Sequence, residues 1–217
     1  SNHNGDLETA KKLIDVASDA GADAVKFQTF RADHSYVEQS GTMEYLEDDR
    51  PIYDIVKSME MPYEWIPELS RYCSEREILF LSTPFDRHSA EELEQYVPAW
   101  KVASYTSSHH PFLRYLARSE KPVIMSTGAH GIGEIRESVE MLTNEGVEGL
   151  ALLQCVAAYP TPIEEANVQV VETFADEFEV PVGLSDHTTE PTIAPAAAVA
   201  LGANVVEKHF TLDTAMD

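Results

Sequence analysis

The sequence predicts an α/β chain of the (β/α)8, or TIM-barrel, class, and three observations carry that reading. Helical and strand-like patterns alternate strictly along the 217 residues. The strand-like runs are mostly continuous apolar segments, as expected of a parallel sheet covered by helices. Polar side chains gather where those runs end, which is where barrels of this class keep their chemistry. Seven βα repeats suit a closed barrel better than an open sheet. The count is short of eight by one strand at the start and one helix at the end, so residues 1–217 read as one barrel domain trimmed at both ends.

The elements follow in order. Residues 7–20 carry apolar side chains near helical spacing, with Asp6 as N-cap and Gly21 as the stop. Residues 24–28 read as a strand. The polar stretch 29–61 is too long for an ordinary βα connection and reads as an active-site loop or lid. A helix over 62–75 leads to a strand over 78–82, a helix over 89–95 to a strand over 100–103, and a helix over 111–119 to a strand over 123–126. Helices over 132–145, 164–178 and 193–201 precede strands over 150–155, 182–185 and 205–209.

Composition narrows the partners. A balance of 38 acidic against 15 basic residues, net charge -23, argues against nucleic acid and anionic membrane surfaces. The acids spread over the predicted helices 89–95 and 164–179 and the loop around 47–50, a surface suited to high salt where self-repulsion is screened. No apolar run approaches the ~20 residues of a membrane span, and the first residues lack a signal-peptide hydrophobic stretch. Cys73 and Cys155 are too few for a disulfide framework and read as small core side chains, with the cytoplasm as the expected compartment.

Two segments carry most of the chemistry: LSDHT (184–188) and VVEKHFTLD (205–213). Ser185 and His187 lie two apart, as do Glu207 and His209, and side chains two apart on a strand share a face. The histidines lie 22 positions apart, which leaves room for one helix and two turns, the spacing of a βαβ unit with neighbouring parallel strands. The pair is either a divalent-metal site or two hydrogen-bonded histidines capping a sheet. Collecting the other strand ends adds Lys26, Gln28, Ser82, Thr83, Lys101, Ser104, Ser126, Thr127 and Tyr159. Lysines among hydroxyls suit a phosphate, and a metal beside it suits polarisation of a carbonyl. Lys208 is out of phase with Glu207 and His209 and reads as structural. His34, His88, His109, His110 and His130 lie in loops and read as solvated. GAHGIG (128–133) departs from the GxGxxG spacing and is a weak phosphate-loop signal.

Eight ordered segments are similar to those of the sialic acid synthase family, including its spore-coat polysaccharide synthase-like members. They are NHNGD (2–6), GADAVKFQTF (21–30), LSTPFD (81–86), KVAS (101–104), KPVIMSTG (121–128), LLQCVAAYPTP (152–162), PVGLSDHT (181–188) and VVEKHFTLD (205–213). The resemblance implies condensation of phosphoenolpyruvate with an N-acetylated amino-hexose to a nonulosonic acid, with C–O cleavage and release of phosphate. It implies a barrel followed by a small antifreeze-like domain, a homodimer, and a required Mn²⁺ or Mg²⁺. It puts phosphoenolpyruvate near Lys26, Thr83, Lys101, Ser104, Ser126 and Ser185, the metal on His187 and His209, and the sugar near Gln28 and Tyr159. Lys26 and Lys101 would neutralise developing charge, and Glu207 would orient water or a metal-bound ligand.

Four features depart from the family pattern. The first-strand glutamate, the antifreeze-like domain and its sugar-contacting arginine lie outside these residues. Thr106 stands where an acid is expected, and Ala157 where a polar residue is common. Another phosphoenolpyruvate-dependent synthase, making an eight- or seven-carbon sugar acid, is the second reading; the YPTP and LSDHT motifs disfavour it. A third is an inactive barrel kept as a binding subunit, which loss of both lysines or both histidines would support; all four residues are present.

Overall fold

The computed structural model describes residues 2–42 and 50–213. The fold divides into two compact units, Ser1–Pro98 with Thr211–Asp217, and Ala99–Phe210.

The first unit opens with helix α1 (Leu7–Asp19), whose start is fixed by the Asp6 side chain accepting from Thr9 N–H at 2.7 Å. Ala10, Leu13, Ile14 and Ala17 form its buried stripe at helical spacing. Strand β1 (Ala24–Thr29) follows, then helices α2 (Ala32–Ser35), α3 (Ile52–Ser58) and α4 (Ile66–Glu75), strand β2 (Leu79–Pro84) and helix α5 (Arg87–Leu93). The two strands are parallel, with Val25 opposite Phe80, Phe27 opposite Ser82 and Gln28 opposite Thr83. Val25, Phe27, Thr29, Phe80 and Ser82 form the buried face. Phe27 and Phe80 stack 5.9 Å apart there, and the Thr29 and Ser82 hydroxyls satisfy each other at 2.7 Å.

The second unit is a five-stranded, wholly parallel sheet in sequential order: β3 (Trp100–Val102), β4 (Val123–Ser126), β5 (Leu150–Cys155), β6 (Val182–Asp186) and β7 (Val205–Lys208). Helices α6 (His110–Ala117), α7 (Ile132–Asn144), α8 (Val170–Glu177) and α9 (Ile193–Ala200) connect successive strands. One sheet face is apolar and buried, with Trp100, Val102, Val123, Met125, Leu150, Leu152, Val182 and Leu184. The α/β class and the parallel pairing agree with the sequence reading.

Three expectations needed correction. The stretch 29–61 is not a bare loop, because α2 and α3 lie in it and Tyr53 and Ile55 anchor α3 by burial; residues 43–49, which include part of the acidic loop, lie outside the described residues. Helix α4 is preceded by a separate 3-10 turn, Tyr63–Trp65. Helix α8 starts six residues later than the expected 164, after a 3-10 turn at Ile163–Glu165, since Asn167 sits at φ +48°, a left-handed conformation that ends any helix begun there. Among the described residues no helix is long and apolar enough to cross a membrane.

Candidate active site

Strand pleat and register decide which side chains meet. Ser126 pairs with Leu153, Cys155 with Ser185, and Ser185 with Glu207, so these residues share one face of the second unit's sheet with Lys101. His187 and His209 continue that parity past the ends of β6 and β7. The face opposite the apolar core is thus polar at the C-terminal ends of its strands.

Lys101 is the centre of this set. It is 2% exposed, and its Nζ donates to Ser126 Oγ at 2.7 Å and to the Val102 carbonyl at 3.2 Å. Glu207 Oε1 lies 3.6 Å from the same Nζ and accepts from Ser185 Oγ at 3.0 Å. Burying a cation is costly unless partners compensate it. Ser126, the Val102 carbonyl and, at longer range, Glu207 are among the groups that do so. Ser104, in the 3-10 turn after β3, accepts from Gly128 N–H at 2.9 Å.

The imidazole pair forms a second cluster. His187 and His209 rings lie 5.3 Å apart, and Tyr159 lies 4.1 Å from His187 and 6.1 Å from His209. Thr161 N–H donates to the His187 carbonyl at 2.9 Å, pinning the Tyr159 turn beside the pair. His187 Nδ1 lies 2.7 Å from the Val156 carbonyl, which assigns the ring proton to Nδ1 and leaves Nε2 as the free lone pair. That is the support a metal-binding histidine receives from outside its coordination shell. Burial opposes protonation of His187. The Cys155 thiol, the Val156 carbonyl and Glu207 outweigh it, holding the imidazole above its ordinary value. Among the described residues no group of three or more His, Cys, Asp or Glu side chains is placed to hold a metal ion.

In the first unit, Lys26, Gln28 and Thr83 share the face of β1 and β2 opposite Phe27 and Phe80. Thr83 is 1% exposed and its Oγ1 has no hydrogen-bond partner. Because buried polar groups are almost always paired, this hydroxyl marks a place for a ligand atom.

Lys208 points away from the site, as its phase indicates, and pairs with Asp186 and the Thr188 carbonyl. Thr106 turns its hydroxyl back to the Ala103 carbonyl at 3.2 Å, so the position where an acid was expected carries a neutral turn residue. Two histidines expected to be solvated in loops are half-buried: His110 is the first residue of α6 and lies 3.3 Å from Ser138 Oγ, and His130 sits among Gly128, Ser107 and Ser108. Cys73 is a core residue as expected, its thiol pushed up to about 12 by burial. Cys155 is buried too, yet it lies on the polar face, 3.9 Å from His187 Nδ1. The register of β5 with β6, which pairs Cys155 with Ser185, puts it there.

Parallel strands that bring a buried lysine, hydroxyls, a carboxylate and two imidazoles to their C-terminal ends define a site for a small polar, anionic ligand. The chain belongs to the NeuB family, whose pattern it matches over residues 13–217. It is 46% identical over 215 residues to the spore coat polysaccharide biosynthesis protein SpsE of Bacillus subtilis, covering 98% of this chain and 58% of that protein. It is 39% identical over 222 residues to the N,N'-diacetyllegionaminic acid synthase of Campylobacter jejuni, covering 99% of this chain and 66% of that protein. The crystal structure of N-acetylneuraminic acid synthetase from Leptospira borgpetersenii is similar at a TM-score of 0.87 and 33% identity, over 98% of this chain and 70% of that one. The chain thus spans less than two thirds of the two curated relatives.

Proposed function

We propose that the chain is the (β/α)8 barrel domain of a nonulosonic acid synthase. Such an enzyme condenses phosphoenolpyruvate with an N-acetylated amino-hexose, and water cleaves the C–O bond to phosphate. The observation that carries this reading is the buried Lys101, held by Ser126 and Glu207 on the same sheet face as the imidazole pair. Relatives named as legionaminic, pseudaminic and N-acetylneuraminate-9-phosphate synthases support it.

In the proposed division of labour, Lys101 neutralises the anion while Ser104 and Ser126 donate to its oxygens, and Ser185, whose proton goes to Glu207, lines the same face. The resemblance gives Lys26 and Thr83 to the same ligand, and Gln28 and Tyr159 to the sugar. His187 and His209 would hold Mn²⁺ or Mg²⁺. When bound, that ion supplies Lewis-acid polarisation of the acceptor's carbonyl. Carbon–carbon bond formation at the sugar's aldehyde carbon builds positive charge at C2 of phosphoenolpyruvate, where water adds. Glu207, whose Oε1 lies 3.6 Å from Lys101 Nζ and 3.0 Å from Ser185 Oγ, orients that water before phosphate departs. A homodimer completes the reading.

The test is a product assay on the protein that carries this chain, with phosphoenolpyruvate labelled with ¹⁸O at the bridging oxygen and a panel of N-acetylated hexoses. The expected result is a nine-carbon acid with the label in the released phosphate. Turnover of short unacetylated aldoses in its place would favour the seven- or eight-carbon alternative. His187→Ala and His209→Ala should each weaken Mn²⁺ binding by at least about tenfold with the fold intact and phosphoenolpyruvate affinity less affected. Calorimetric titration checks this, and unchanged Mn²⁺ affinity in both variants would remove the metal assignment.

A further inference from the structure

We propose that His130 is a positioning residue for the anion end of the site, acting through the Gly128 peptide and the Ser104 hydroxyl. The inference rests on the reading of Ser104 as a phosphoenolpyruvate contact. After β4 the chain runs through Thr127, whose hydroxyl donates to the Leu153 carbonyl at 3.0 Å, into Gly128, Ala129 and His130. Gly128 approaches its neighbours so closely that a Cβ there would lie 3.0 Å from Ser104 Oγ and 3.2 Å from Cys155 Sγ. Its N–H donates to Ser104 Oγ at 2.9 Å. With one lone pair so occupied, the Ser104 hydroxyl proton faces the Cys155 sulfur, a weak acceptor, and an anionic oxygen is the stronger taker.

The peptide that sets this geometry is under strain. Ala129 sits at φ +62°, in the left-handed region that an alanine occupies only when its surroundings hold it there. The His130 ring supplies that hold. Its Nδ1 reaches back across Ala129 to the Gly128 carbonyl at 2.9 Å. Its Nε2 lies 2.9 Å from Ser108 Oγ, and Nδ1 lies 3.3 Å from Ser107 Oγ. Ser107 Oγ in turn donates to the Ser104 carbonyl at 2.8 Å. One imidazole therefore ties the turn after β4 to the turn after β3, on both sides of Ser104. A ring protonated at Nδ1 donates to the Gly128 carbonyl and accepts from Ser108 at Nε2, with Ser107 Oγ a longer second acceptor for the same N–H.

The experiment is calorimetric titration of the full chain with phosphoenolpyruvate and, separately, with Mn²⁺. His130→Ala should weaken phosphoenolpyruvate binding by about tenfold and leave Mn²⁺ affinity within about twofold. His130→Asn keeps an N–H where Nδ1 stood and should recover most of the loss. The double variant Ala129→Gly with His130→Ala should recover part of it, because glycine holds a positive φ without a tether. A purely structural role would lower both affinities together and would not respond to glycine at 129. Unchanged phosphoenolpyruvate affinity in His130→Ala overturns the inference, as does parallel loss of both ligands with no recovery in the double variant. Should His130→Ala fail to fold, His130→Asn and the double variant carry the same comparison. Wild-type protein that takes up no phosphoenolpyruvate overturns the functional reading itself, and this is visible before any variant is made.

Discussion

Replacing Lys101 by Met is expected to lower phosphoenolpyruvate affinity by about 10²- to 10³-fold, the largest single effect in the site. The side chain is fully enclosed, so no solvent cation or neighbouring surface lysine can stand in for it. Its removal also takes the ammonium away from Glu207 and leaves that carboxylate beside the anion's place, which disfavours an anion further. Lys101→Arg should fail nearly as badly, since a planar fork does not fit a space closed around a single ammonium. Titration of both variants with phosphoenolpyruvate is the check. Affinity within about threefold of wild type in Lys101→Met would show that the anion binds elsewhere.

Gly183→Ala is expected to produce the largest loss of stability. Gly183 lies in β6 between Leu153 and Val205, and a Cβ there would meet the Val205 carbonyl oxygen at 2.1 Å and Leu153 Cδ2 at 2.9 Å. The first of these is backbone and cannot rotate away. The strand pair must separate, which costs about 1–3 kcal/mol or more by analogy with overpacked cores. The Ser185–Glu207 hydrogen bond, two residues along the same pair, should go with it. For a chain of this size that loss is a fall in melting temperature of about 2–4 °C per kcal/mol. Gly133→Ala is the control: it lies in α7 with nothing within 4 Å of its Cβ position. Relief of glycine's helix penalty there should raise stability by up to about 1 kcal/mol. Equal melting temperatures for Gly183→Ala and wild type would show that β6 and β7 are less tightly apposed than described.

Much of the site was readable because side-chain direction in a strand is a local property. The two-residue spacing of Ser185 with His187 and of Glu207 with His209 put each pair on one face before any fold was known, and the structure places the two rings 5.3 Å apart. The same parity separated Lys208 from the site. The alternation of helix and apolar strand gave the α/β class for a similar reason, since burial on both faces writes itself into each strand separately.

Partners across strands were a different matter. Lys101 and Ser126 are 25 residues apart, and Lys101 and Glu207, on the first and last strands of the five-stranded sheet, come within 3.6 Å only because that sheet curls about its polar face. Cys155 looked like any small core side chain until that register set it beside His187. His130 looked solvated until two turns from different strands closed on it. The sequence by itself determined the element types and the face on which each side chain stands, because φ, ψ and pleat are set within a few residues. Which of those faces met, and so which oxygens enclose Lys101 and which carboxylate pairs with Lys208, was decided by tertiary structure, because register is a property of strand pairs and of no single segment.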